Sequence, residues 1–380
     1  MPPLSLYIHL PWCVAKCPYC DFNSHRAGAA PPRARYIEAL LKELADRAAD
    51  VDGRCVETIF IGGGTPSLFT GAEIREILEG ARAELTISAD AEITMEANPG
   101  TVEWGQPAAY RTAGVNRLSL GAQSFDADAL RRLGRIHGPA EIRAAFDEAR
   151  AAGFANINLD VMFALPGQSL DEARSDLEQA LALSPEHISY YQLALEPNTV
   201  FHSRPPAGLP GDDLAWDMQE QGLRLLATSG YERYEVSAFA RAGRRCRHNL
   251  NYWAFGDYMA IGAGAHGKLT DQMAMPRRYR NPAHPAAYMD AMQSGAPGRG
   301  EETGPADRVF EFMLNALRLP EGFAEDCFEE RTGLGWASVR DRMSALQRKG
   351  LMEKDGPRWR PSELGFRFLN DVQAAFLPPD

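Results

Sequence analysis

Six cysteines in 380 residues are too few to staple a secreted scaffold. Basic charge is also scarce. With 40 Lys and Arg against 51 Asp and Glu the net charge is −11, which weighs against a surface that gathers nucleic acid indiscriminately. Long hydrophobic runs are missing too: no apolar stretch approaches the roughly 18 residues of a membrane span. The opening residues MPPLSLYIHLPWC carry no charged leader and run straight into a strand-like pattern, which argues against a secretory signal and for the cytoplasm. What is present, 45% hydrophobic and 24% charged residues, is the balance of a globular chain long enough for two domains or three.

The first half repeats one unit, an apolar β-rich run followed by an amphipathic stretch. Leu4, Leu6, Ile8 and Leu10 alternate as in a half-buried strand. Val56 to Ile61, Ile93 to Ala97, Leu118 to Ala122, Ile157 to Phe163 and Ile188 to Leu195 read as further strands. Between them, Ile37, Leu40, Leu41 and Leu44 make one helical face, and Ile142, Ala145, Phe146 and Ala149 make another. Six strand–helix units in series predict an α/β fold with a parallel sheet curled into a partial (β/α)6 barrel. Chemistry in such barrels sits at the carboxyl ends of the strands.

The rhythm fails after about residue 200. Segment 203–213 reads as a loop and 295–306 as a linker. The tail resembles a winged helix: Val339, Met343 and Leu346 share a helical face, a charged hairpin-like stretch follows to Arg360, and another helix begins at Ser362. Seven basic and three acidic residues between Ser338 and Arg360 keep a nucleic-acid surface open there, although a packing or partner surface is the commoner use. The expected divisions are a barrel domain over 1–235, a connecting region over 236–300 and a mostly helical winged-helix-like domain over 301–380.

Cys13, Cys17 and Cys20 form C-x3-C-x2-C directly after the first strand. A disulfide would leave one thiol over, and a closed zinc site needs a fourth ligand, for which His9 and His25 are near in sequence. Thiolates suit an iron–sulfur cluster, and three of them on four irons leave one iron open.

The run YIHLPWCVAKCPYCDFNS resembles the cluster loop of the radical S-adenosylmethionine superfamily, and closely that of its HemN/HemW branch, a likeness that continues over nearly the whole chain. The resemblance implies a [4Fe-4S] cluster on Cys13, Cys17 and Cys20, with S-adenosylmethionine chelating the open iron. It places Gly63, Gly64 and Thr65 of GGGTP, Glu96 of MEANP, Gln123 of GAQSF, Arg135 of LGRIH, Asp160 of NLDVMF and Ala194 of LALEP in the cofactor pocket, with Tyr7 and Tyr19 beside the cysteines. Chemically, glycines admit close backbone approach, an Arg pairs with a carboxylate, and a carboxylate inside an apolar strand must find a partner.

The branch holds two activities, oxygen-independent decarboxylation of coproporphyrinogen III and haem delivery by chaperones. The oxidases of the branch add a Cys two residues after the third, where this chain has Phe22, and they carry a long extension before the cluster, where this chain has twelve residues. Both departures favour the haem chaperones. So does HNLNYW, residues 248–253, an HNxxYW motif like that of the chaperones. Imidazole is a good haem ligand, which points to His248, with Tyr252 and Trp253 against the porphyrin and Arg241, Arg244, Arg245 and Arg247 near the propionates. Cys246 is a rival ligand. The resemblance thus implies haem as cargo, respiratory haemoproteins as clients, a possible homodimer, and membrane contact only through such partners, with no porphyrin turned over.

Overall fold

A computed structural model describes residues 1–100, 106–271, 275–296, 298, 300–378 of the chain. Positions 297 and 299 of the expected linker lie outside the described residues. Seven parallel strands form the centre of a twelve-stranded mixed sheet. Six of them follow one another in sequence: β1 (Leu4–Leu10), β2 (Val56–Gly63), β3 (Ile87–Ala97), β4 (Arg117–Gln123), β5 (Ile157–Phe163) and β6 (His187–Gln192).

The sheet is open. β6 does not return to β1; it is followed by the antiparallel β7 (Ala238–Ala240), while the other flank of β1 is taken by the parallel β8 (Asp257–Ile261). Two antiparallel strands, β9 (His266–Thr270) and β10 (Pro276–Arg280), extend that flank. The segment 236–300 therefore supplies strands to both sides of the main sheet. Periodicity identified the six units but had no signal for these later additions, whose pairing partners lie far away in sequence.

The two faces of each strand differ in kind, because side chains alternate across a pleat. Leu4, Leu6, Ile8 and Leu10 enter the main apolar core, which also takes Tyr36, Ile37, Leu40 and Leu44 of α1 (Arg33–Ala48). Each such buried side chain contributes about 1.5–3 kcal/mol. α2 (Gly71–Glu84) starts at Thr70 in a capping box with Glu73. α3 (Pro139–Ala151) buries the four apolar residues of its expected face, α4 (Leu170–Ala182) is capped by Ser169 with Glu172, and α5 (Asp212–Thr228) follows β6. The opposite strand faces are largely polar: Ser5, Thr58, Glu92, Arg117, Asn158 and His187 all lie buried within the curve of the sheet.

The tail has a second core built on Phe312, Phe328, Trp336, Val339, Met343, Leu346 and Trp359, with a small three-stranded sheet that includes Met352–Asp355 and Arg358–Pro361. A buried ion pair secures the junction, where Lys268 Nζ lies 2.8 Å from Asp257 Oδ1 and also donates to the carbonyls of Phe255 and Gly256. Among the described residues no helix is long and apolar enough to cross a membrane.

Candidate functional site

The loop after β1 is closed by its own backbone. His25 N–H donates to Pro11 O at 2.7 Å, and Trp12–Cys13 pairs in parallel with His25–Arg26. Lys16 Nζ reaches the carbonyls of Phe22 and Ser24. The loop carries Cys13, Cys17 and Cys20 as thiols onto the wall of a cleft of about 690 Å³, a size suited to a small cofactor. Among the described residues no three His, Cys, Asp or Glu side chains gather about one point as the ligands of a single ion do. Three thiolates on one loop suit an iron–sulfur cube, where each binds a different iron. His9 is spent elsewhere: Tyr7 OH lies 3.0 Å from Nδ1, and Nε2 lies 2.8 Å from Asn23 O, so zinc loses one of its two nearby histidines. Burial raises the Cys20 thiol, so metal binding rather than the surroundings would keep it deprotonated.

The glycine run at the end of β2 is packed against this loop. Gly64 N–H donates to Leu10 O at 2.7 Å and Thr65 N–H to Trp12 O at 2.8 Å. A Cβ on Gly64 would stand 2.6 Å from Trp12 O, and one on Gly63, whose φ is +115°, would stand 2.5 Å from the His9 ring. The sequence reading assigned these glycines to ligand approach. The structure shows a need nearer to hand, the seating of the cysteine loop itself.

Across the strand ends the remaining expected residues meet. Glu96 Oε2 accepts from Gly63 N–H at 3.1 Å. Burial first, then the charge of Asp160, pushes the Glu96 carboxyl up to about 7. Gln123 ends β4 with a left-handed φ of 69° and accepts from Tyr191 OH at 2.8 Å. Arg135 donates to Asn98 Oδ1 at 2.6 Å and Gly121 O at 2.8 Å, and its Nη1 lies 3.7 Å from Cys17 Sγ. Asp160 accepts from Asn158 at 2.8 Å, and burial raises its carboxyl as well. Tyr19, Thr65 and Ala194 complete this part of the wall. Tyr7 does not line the cleft; it stacks on Phe60 and bonds His9 behind the wall.

The cleft runs on toward the amino ends of the strands, past Asn158 and Ser119 to Asn249 and Trp253. These last two lie on α6 (Arg247–Trp253), a helix that closes the floor of the sheet. His248 and Tyr252 sit on a neighbouring face of α6, off the cleft wall. His248 is 9% exposed, tilts over Phe60 and has Nδ1 3.0 Å from Thr58 Oγ1. Thr58 in turn donates to Ser5 Oγ at 2.8 Å, so Nδ1 carries the proton and Nε2 keeps its lone pair. Burial, with Arg117 second, lowers this imidazole to about 3, so it is neutral. Tyr252 lies against Trp253 and Tyr258.

The arginines of the segment divide. Arg244, Arg245 and Arg247 line one surface pocket with Arg111, where Arg245 pairs with Glu321 and Glu232 and Arg247 pairs with Asp90, while Arg241 bonds Pro185 O; His248 lies off that pocket. Cys246 is buried and directs its thiol at Glu92 Oε1 from 3.4 Å, which removes it as a rival ligand. Sequence reasoning missed Asn98, Arg117, Asn158, His187 and Arg318 on the cleft wall. Alternation inside the strands was the available signal, since Arg117, Ser119, Gly121 and Gln123 share one face of β4.

Residues 7–180 match the radical SAM superfamily and residues 304–368 match the HemN C-terminal domain. The chain is 49% identical over 377 residues to heme chaperone HemW of Escherichia coli (strain K12), covering 99% of each chain. It is 34% identical to heme chaperone HemW of Bacillus subtilis (strain 168), over 98% of this chain and 99% of that one. The solved structure of coproporphyrinogen III oxidase (HemN) from Escherichia coli shares the fold at TM-score 0.83 and 24% identity, over 99% of this chain and 90% of that one. With the cluster loop, the polar cleft and this end-to-end likeness together, the chain belongs to the HemW family within the radical SAM superfamily.

Proposed function

We propose that the protein is a haem chaperone: it binds haem, carries a [4Fe-4S] cluster and S-adenosylmethionine at the mouth of the cleft, and passes haem to client haemoproteins. What carries the reading is identity of 49% along 99% of the chain to a protein named heme chaperone. Cys13, Cys17 and Cys20 hold the cluster. Gly63, Gly64, Thr65, Glu96, Gln123, Arg135, Asp160 and Ala194 hold S-adenosylmethionine, with Tyr19 beside the cysteines and Tyr7 behind the wall. The pair supplies one-electron chemistry when bound. Glu96 and Asp160 offer carboxylates to the cofactor's cationic and hydroxyl groups, and Arg135 fixes the wall beside Cys17.

In this proposal His248 is the haem ligand through Nε2, because Nδ1 is tied to Thr58. Trp253 and Tyr252 flank it on α6. Haem reaches His248 only if α6 shifts, and handover therefore couples to movement of that helix or to pairing of two copies of the chain. The setting is cytoplasmic, with clients at the inner face of the membrane.

The test is anaerobic. Protein with a reconstituted cluster receives haem, and separately reductant, S-adenosylmethionine and coproporphyrinogen III. The proposal expects stoichiometric haem binding and no protoporphyrinogen beside an active oxidase control. Conversion of the porphyrinogen, or absence of haem binding, overturns it.

A further inference from the structure

The cleft ends on an arginine without a partner. Arg117 opens β4 and faces inward with Ser119 and Gln123 along the cleft wall. It is 2% exposed, yet its guanidinium makes no ion pair and no hydrogen bond to any described residue, and its Nε is wholly shielded. A buried guanidinium left in that condition is costly, and cations are buried where something meets them. The carboxylates whose charge acts on it are engaged elsewhere. Glu92 accepts from Cys246 and from the His248 backbone, and Asp160 accepts from Asn158.

Two further donors at the same end share the condition. Trp253 Nε1 and Arg318 Nε are buried without partners, and both residues line the same cleft. Arg318 is held there by Glu235, 2.8 Å from its Nη2, with its guanidinium 4.2 Å above the Trp253 ring. His187 is spent on Asn158 and Tyr234. The inner end of the cleft thus carries a surplus of fixed donors, two of them on cations.

We infer that this inner end is a carboxylate-binding subsite in which Arg117 receives the carboxylate, with Trp253 and Arg318 closing over it. Guanidinium groups bind carboxylates with two parallel hydrogen bonds, which suits a group seated in a dry pocket. One chemistry has two sources here: a free short-chain acid, or a propionate arm of haem. The second source rests on the function proposed above and the first does not.

The experiment uses the full chain with its cluster loaded. Propionate is titrated against its uncharged amide by calorimetry, and haem against haem dimethyl ester by absorbance. The native protein is compared with Arg117→Met and Arg117→Lys. The expected result is that at least one acid binds ten times or more tighter than its uncharged counterpart, that Met abolishes the margin and that Lys restores part of it. A margin for propionate identifies a free acid; a margin for haem alone identifies the propionate arm. If haem fails to bind while propionate keeps its margin, the subsite stands and the haem reading falls. If neither pair shows a margin on the native protein, or the Met variant keeps it, the inference is overturned, and the first of these outcomes requires no variant to fold.

Discussion

The mouth and the floor of the cleft differ most at one residue each: Arg135 at the mouth is anchored through Nη2, whereas the Arg117 guanidinium at the floor has no ion pair or hydrogen bond among the described residues. At the mouth the working groups are tied to other parts of the chain: Glu96 to Gly63, Gln123 to Tyr191, and Arg135 through Nη2 to Asn98 and Gly121. At the floor, Arg117, Trp253 and Arg318 keep donors unspent. The contrast separates two kinds of binding surface. In the function proposed above the mouth is shaped in advance for a resident cofactor, and in the inference drawn from Arg117 the floor is complete only when an outside acceptor arrives.

Variants at the mouth and at the floor should therefore fail in different assays. The largest effect belongs to Cys17→Ala, which should cut bound iron to less than a tenth of the native content, read by iron analysis and cluster absorbance, while the protein still folds. His248→Gln comes next. It keeps a partner for Thr58 but offers no imidazole, and should weaken haem binding tenfold or more, read as loss of the Soret shift, with iron content unchanged.

Glu96 gives a pH-dependent test of the mouth. Its carboxyl is held at about 7 in the folded chain against an ordinary 4.5, so between those values the folded state binds more protons than the unfolded one. Stability should therefore fall as pH rises through that window, by about 3 kcal/mol at most for a shift of this size, and level off above it. Chemical denaturation of Glu96→Gln at several pH values should show a flatter profile across the window, and a profile equal to the native one would remove Glu96 as its source. The smallest expected effect is at Thr58→Val. Loss of the hydroxyl frees His248 Nδ1, lets the ring change tautomer, and should weaken haem binding about threefold, roughly 0.6 kcal/mol.

How legible each region was in the sequence follows the same line. The mouth lies where strands end, and strand ends are marked by Gly, Pro and Asn: GGGTP after β2, ANP after β3, and the cysteine loop after β1 could be placed from the sequence and fell where barrel logic put them. The floor is assembled from the first residues of strands and from α6, some 130 positions after Arg117 in the chain, and each piece looks ordinary alone. Arg117 reads as the polar edge of an apolar run, and only the pleat shows that it points inward with Asn158 and His187. The arginines around residue 245 show the converse. They cluster in sequence, and Arg244, Arg245 and Arg247 share a surface pocket, but only the fold shows that Arg245 and Arg247 meet acidic partners there, at Glu57, Asp90, Glu232 and Glu321.

The most direct test of the account is transfer. Haem-loaded protein is mixed anaerobically with an apo-haemoprotein of the respiratory type, and the client's spectrum is followed beside free haem at the same concentration. The account predicts that the client fills faster from the loaded protein than from free haem, and that His248→Gln, charged with the same amount of haem, loses the advantage. Filling no faster than from free haem by the native protein would contradict a chaperone, whatever its cluster and cofactor do.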